Sequence, residues 1–221
     1  MSEKVLVLFS GGVDSAVALW LVKRDSPDVE LYTLTVNYYR RSSGEMRCAE
    51  KLAALAAVKR HIVVEAPYIR EIEDMPGSQS LNSGGRVLPS VFIPVKNLLF
   101  YSLAAHLAFM VGAKRVVVGH NYEDSKLFPD VASSLIERFN ELLRESLPSY
   151  GLTVEAPLLE YTKRQVYQMA VELGVPLEYT WSCWRAGEIH CGACDGCLTR
   201  RRMFYELGLR DATVYESLNT S

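Results

Sequence analysis

The 221-residue sequence predicts an α/β fold: an open parallel sheet of five strands with helices on both faces, plus a small cysteine-bound element at the C-terminal end. Three observations carry this expectation. Short apolar runs rich in β-branched residues, suited to strands buried on both faces, recur between stretches of helical periodicity. The first run, residues 5–9, passes through Ser10-Gly11-Gly12 straight into a helical pattern. Four of the five cysteines crowd between Cys183 and Cys197.

The elements follow in order. Residues 5–9 (VLVLF) form the first strand; Val13, Val17, Trp20 and Leu21 then fall at helical spacing, to about Arg24. A polar break at 25–28 precedes a second strand at 31–36, whose exit, Asn37-Tyr38-Tyr39-Arg40-Arg41, is aromatic and basic. Residues 44–58 read as an Ala-rich helix with Cys48 packed inside it, and 61–64 as a third strand. This β-α-β-α-β order demands a parallel sheet with right-handed crossovers. Residues 75–90 (MPGSQSLNSGGRVLPS) read as a mobile loop, and both a lid over a ligand and a surface excursion fit it. Residues 91–101 close it and open a helix carrying Leu98, Leu99, Leu103 and Leu107. Pro94 ends the extended part, and Lys96 and Asn97 stand at the helix mouth. A fourth strand at 115–118 ends in a polar cluster from Gly119 to Ser125. A helix at 130–147 is expected to turn Val131, Leu135, Phe139 and Leu142 inward, and 152–156 form the fifth strand. Thr162 and Gln165 have capping-box spacing for a helix to Leu173, stopped by Gly174. Arg200-Arg201-Arg202 is read as the solvated or dipole-compensating start of a terminal helix. The expected division is an α/β domain over 1–177 and a metal-bound segment over 178–221 packed on it.

Composition narrows the function classes. With 24 basic and 26 acidic residues the net charge is −2, so no general basic field is present to hold nucleic acid. No apolar run approaches the roughly 18 residues a bilayer crossing needs. Met1 to Lys4 leads directly into a core strand, so the expectation is no signal peptide and a cytoplasmic location. There, clustered cysteines indicate metal ligation and not disulfides.

Two stretches carry chemistry. A strand, a glycine turn and a helix N-terminus make an anion site, because unpaired N–H groups and the helix dipole converge on one spot. Phe9, Ser10, Gly11, Gly12, Val13, Asp14 and Ser15 are therefore candidate phosphate-site residues, with the two serines adding hydroxyls. The turn is neither a Walker sequence nor G-x-G-x-x-G, and Asp14 implies a cation or hydrogen-bond donor beside it. If the first and fourth strands are neighbours, this turn faces Gly119, Asn121 and Asp124 across one crevice beyond the strand ends. His120 lies there too, as a base or as a neutral hydrogen-bonded imidazole. The second stretch is Cys183-x7-Cys191-x2-Cys194-x2-Cys197. Four thiolates in a tetrahedron make a closed structural zinc site that supplies folding energy and leaves no position for water. An iron–sulfur cluster and free thiols are the alternatives, and His190 could replace one cysteine.

S-G-G-x-D-S resembles the pyrophosphate loop of ATP pyrophosphatases, and the resemblance extends over almost the whole chain. SGGVDS at Ser10, VFIPVKNLLF at Val91, Pro157-Leu158 with Lys163, and TWSCW with the cysteine cluster occur in the same order as in the 7-cyano-7-deazaguanine synthase family. The resemblance implies an adenine-nucleotide α-hydrolase-like fold, structural zinc, and a ligase using ATP and Mg²⁺. It implies adenylation of the carboxylate of 7-carboxy-7-deazaguanine, attack by ammonia to give the amide, and dehydration by a second ATP. The product is 7-cyano-7-deazaguanine (preQ0), for queuosine or archaeosine synthesis. By position, Asp14, Ser15, Lys96 and Lys163 become the catalytic candidates, neutralising charge with Mg²⁺. Phe92, Pro94 and Asn97 match the family's F-x-P-x-R-N, but Lys96 replaces Arg and loses the bidentate fork. Tyr38-Tyr39-Arg40-Arg41 stands where the family has N-Q-R-H or G-Q-R-H, and of S-G-Y-P-D-C-R only Pro129-Asp130 survives. Tyr38, Arg40, Phe92, Asn121, Asp124 and Asp130 are the candidate substrate contacts, and Tyr38, Phe92 or Tyr122 could stack on the deazapurine or belong to the core. The predicted elements leave no glutaminase domain, so free ammonia or an amine on another molecule is the expected nitrogen source. Alternatives are a paralogue conjugating the acyl group to a protein amine, as in phage defence, a tRNA-acting adenylating enzyme, and a zinc-stapled binding module. The resemblance also implies a homodimer, with no face legible.

Overall fold

A computed structural model describes residues 2–39, 42–71, 82–83, 86–87 and 93–216. Five parallel strands form one sheet in the order β3-β2-β1-β6-β7. They are β1 (Lys4–Leu8), β2 (Glu30–Tyr38), β3 (Arg60–Ala66), β6 (Arg115–Val118) and β7 (Thr153–Glu155). β4 (Asn82–Ser83) and β5 (Arg86–Val87) form a two-residue antiparallel ladder. They fall within the tract expected to be a loop; its remaining residues, and with them the lid, lie outside the described residues, as do Arg40 and Phe92.

Alternation along β1 divides the interior in two. Val5, Val7 and Phe9 pack with helices α1 (Val13–Asp25), α2 (Ser43–Leu55), α6 (Lys163–Glu172) and α7 (Asp195–Glu206) on one face. Leu6 and Leu8 pack with α3 (Lys96–Val111) and α5 (Ser133–Ser146) on the other. A strand carrying a hydrophobic layer on each side must be apolar at every position, which explains why β1 shows no polar alternation. Chain order reverses between β1 and β6, whose registers run Val5 opposite Arg115 to Leu8 opposite Val118. A ligand crevice belongs at such a junction. Gly119 makes it possible: a Cβ there would stand 2.7 Å from the carbonyl carbon and oxygen of Asp14, so only glycine lets α1 seat against the end of β6.

Several details differ from expectation. The polar cluster after β6 contains a short helix, α4 (Tyr122–Leu127), nucleated by a capping box in which Asn121 and Asp124 bond each other's backbone N–H groups. A 3₁₀ turn over Pro129–Val131 precedes α5, and Leu142 points to solvent while Leu143 is buried. One residue rotates a helix position by about 100°, enough to exchange the two faces. The box at Thr162 and Gln165 forms as expected. α7 begins at Asp195, ahead of the arginine run, and Arg200 is wholly buried, not solvated. Its Nε donates to Thr213 Oγ1, Nη1 to Thr180 Oγ1 and Nη2 to the Leu177 carbonyl, each at 2.7 Å, with Asp211 at 3.5 Å. Among the described residues no helix is long and apolar enough to cross a membrane.

Candidate active site

The turn after β1 is braced by its own serines. Ser15 Oγ accepts the Ser10 N–H at 3.2 Å and donates to the Gly12 carbonyl at 3.0 Å, while Ser10 Oγ accepts the Gly12 N–H at 3.2 Å. Gly11 has φ +82°, and a Cβ there would lie 2.7 Å from the Ala49 backbone nitrogen, so α2 packs directly under the turn. Gly12 caps α1 without any side-chain hydrogen bond, leaving the first N–H groups of that helix as donors for a ligand. The serine hydroxyls thus hold the turn's shape and leave the backbone N–H groups at the start of α1 without a side-chain cap.

The turn opens onto a crevice of about 660 Å³, within the range of small-molecule sites. Its walls take Phe9, Ser10 and Gly12 to Ser15 from the turn and α1, Gly119 to Asn121 and Asp124 from the end of β6, Lys96 and Asn97 from α3, and Lys163 from α6. Tyr38 also lines it, its ring 6.2 Å from that of Phe100, whereas Tyr122 does not. Asp14 is the electrostatic centre. Its Oδ2 receives Lys163 Nζ at 2.5 Å and its Oδ1 the side-chain amide of Asn121 at 3.0 Å. Burial alone would push the Lys163 ammonium down, but Asp14 and Asp124 outweigh it and hold it charged above its ordinary range. Burial and the Asp14 charge push the Asp124 carboxyl up to about 6, against the pull of Lys163. A second cation there, or an added donor, would relieve two carboxylates at once.

Asp130 is not on the crevice wall. Buried behind it, its Oδ2 accepts the Asn97 backbone N–H at 3.1 Å and so caps α3, whose preceding residue Val95 sits at φ +53°. This left-handed conformation is costly for a β-branched residue and fixes where Lys96 and Asn97 emerge. Tyr101 Oη and His120 Nε2 are 2.8 Å apart. Burial, then Lys96, push His120 down to about 4, so it faces the crevice as a neutral imidazole.

The four cysteine sulfurs lie within 4.8 Å of one another, with Cys191–Cys197 and Cys183–Cys194 both at 3.9 Å. A tetrahedron of thiolates about 2.3 Å from one zinc has edges of about 3.8 Å, so the set fits a single ion. Backbone N–H groups of Cys191, Cys194 and Trp184 point at the sulfurs of Cys183, Cys191 and Cys194, each at 3.4 Å, the donors thiolate ligands require. His190 is not in the set: its Nε2 accepts the Ser182 N–H at 3.1 Å and its ring packs on Trp181 at 4.2 Å. The cysteine element is tied to the glycine turn, since the Trp181 N–H donates to the Gly11 carbonyl at 2.9 Å and Trp181 pairs with Gly12 as a parallel bridge.

Residues 4–208 match the family described as "Queuosine biosynthesis protein QueC". The chain belongs to the QueC family. It is 33% identical to the 7-cyano-7-deazaguanine synthase of Nostoc punctiforme over 224 residues, covering 96% of this chain and 99% of that protein. It is also 33% identical to the synthase of Thermoplasma acidophilum, over 99% of this chain and 94% of that protein. Among solved structures, the U34-tRNA thiolase NcsA from Methanococcus maripaludis with its [4Fe-4S] cluster is similar in fold. The TM-score is 0.52 at 14% identity, over 91% of this chain and 64% of that one.

One part of this QueC-family site was not foreseen from the sequence. Ser182, Trp184, Asp195, Thr199 and Arg202 also line the crevice, so the cysteine element forms one of its walls. Their only local signal was an aromatic residue beside a cysteine ligand.

Proposed function

We propose that this chain converts 7-carboxy-7-deazaguanine to 7-cyano-7-deazaguanine with ATP and ammonia. The observation that carries the reading is the Asp14–Lys163–Asn121 constellation beside the uncapped α1 N-terminus, at the β1/β6 junction of a QueC-family chain. A substrate carboxylate oxygen attacks the α-phosphorus of ATP and pyrophosphate leaves. The α1 N–H groups and Lys163 stabilise the charge that develops on the departing phosphates. Ammonia then attacks the acyl carbon, AMP departs and a proton is lost, giving the primary amide. The amide oxygen is activated by a second ATP in the same way, and loss of AMP with the amide protons leaves the nitrile. Asp14 and Asp124 are the residues for Mg²⁺, which when bound neutralises phosphate charge. Cys183, Cys191, Cys194 and Cys197 are the ligands for structural zinc, and such reduced thiols suit the cytoplasm.

The test is a single incubation of the metal-loaded protein with ATP, Mg²⁺, ammonium and 7-carboxy-7-deazaguanine, followed by mass spectrometry and nucleotide analysis. The expected product is one water lighter than the amide, with two AMP and two pyrophosphate formed per nitrile. Pyrophosphate release that needs a tRNA or a protein amine as acceptor would refute it.

A further inference from the structure

Trp184 is 51% exposed, although it lines the crevice that also holds the nucleotide turn. Its indole N–H donates to nothing among the described residues. Its position is nonetheless built. The backbone N–H is held by Cys194 Sγ at 3.4 Å, and a Cβ on Gly196 would come within 2.9 Å of indole Cδ1 and Nε1. The ring therefore rests on the first turn of α7 with its remaining surface open. Asp195, the neighbour of Gly196, lines the same crevice, and its carboxylate has no hydrogen bond or ion pair among the described residues. An anchored, uncovered indole next to an unengaged carboxylate is a recognisable pair of functions: a stacking platform for a flat heterocycle and an acceptor for two adjacent donors.

We propose that Trp184 and Asp195 form the wall that reads the deazaguanine base, the indole stacking on the bicyclic ring and the Asp195 carboxylate accepting from N1–H and the 2-amino group. The assignment rests on the synthase reading above. It gives the metal element a task beyond bracing, because the ligand cluster sets the position of both residues. It also makes the two halves of the site separable: the turn at Ser10 holds the nucleotide and the α7 wall holds the base. Aromatic stacking of a base is of a size that makes its loss about ten- to hundred-fold in affinity.

The experiment is equilibrium titration of the metal-loaded protein with 7-carboxy-7-deazaguanine and, separately, with α,β-methylene-ATP, followed by tryptophan fluorescence and calorimetry. Trp184→Ala should weaken deazapurine binding at least tenfold while the nucleotide Kd stays within twofold, and Trp184→Phe should restore most of the affinity. The fluorescence quench on deazapurine binding should shrink in Trp184→Phe although binding persists, leaving only the response of Trp20 and of Trp181, which also lines the crevice. Asp195→Asn should weaken deazaguanine binding about tenfold and weaken the analogue lacking the 2-amino group less, because only the N1–H bond is left to perturb there. Metal content is measured on every variant, and the two conservative variants preserve the test if Trp184→Ala loses its metal. Unchanged deazapurine affinity in Asp195→Asn together with an undiminished quench in Trp184→Phe overturns the wall and leaves the synthase reading intact. So does a loss confined to the nucleotide. A wild-type protein that binds no deazapurine overturns both.

Discussion

Replacing Arg200 by Met removes a guanidinium while keeping an unbranched stem of good helix propensity in α7. The side chain is wholly buried, so solvent screens none of its interactions. Its three bonds of 2.7 Å, to Leu177 O, Thr180 Oγ1 and Thr213 Oγ1, join α7 to the 177–182 segment and to the chain after α7. Hydrogen bonds from a charged donor contribute about 1.5–3 kcal/mol each. The substitution also relieves the cost of burying the ion, so the sum overstates the loss; breaking a buried pair by removing one partner costs about 3–5 kcal/mol. Taking about 4 kcal/mol, and about 2–4 °C per kcal/mol for a chain of this size, the melting temperature should fall by about 12 °C. Arg200→Lys keeps the charge but not the fork, and should fall between. Because the 177–182 segment also carries the Trp181 bond to Gly11, the ATP Kd should rise in the same variant. Calorimetric melting of metal-loaded protein measures the first effect and nucleotide titration the second. A shift under about 3 °C would refute the role assigned to the guanidinium.

Three further perturbations follow from the same geometry. Gly119→Ala puts a methyl 2.7 Å from the Asp14 backbone, where nothing flexible can yield; melting should report a loss of about 1–3 kcal/mol, and pyrophosphate release should drop with it. His120, neutral in both folded and unfolded chains at about a pH unit or more above 6.5, contributes no pH dependence there. Its folded pKa of about 4 lies below the unfolded 6.5, so stability is lost as pH falls between them, by up to about 3 kcal/mol. The urea midpoint of His120→Gln should be correspondingly flatter from pH 7 to 4.5, and an unaltered slope would exclude this burial cost. Chelating the metal should raise amide hydrogen exchange across 177–216 and also at Gly11 and Gly12, because Trp181 bridges the two; exchange confined to the cysteine loop would show that the bridge does not couple them.

What the sequence by itself determined was whatever a few adjacent residues control. VLVLF announces a strand buried on both faces, SGGVDS a turn feeding a helix N-terminus, Thr162 with Gln165 a helix start, and the 183–197 spacing a four-thiolate site. In each case the controlling interactions span only a few residues, as hydrogen bonds of a turn, cap or chelate. Tertiary structure decided the rest. Arg200 looks like a surface charge until the acceptors at Leu177, Thr180 and Thr213 close around it. Leu142 and Leu143 differ by one helical step, and only the seating of α5 on the sheet says which is buried. Asp130 became a helix cap and not a crevice contact because α3 approaches it from 33 residues earlier in the chain. Trp184 and Asp195 reached the crevice only because the cysteine cluster and Trp181 fold the last element back onto the first turn. Burial and proximity depend on which distant groups meet, and no local pattern records that.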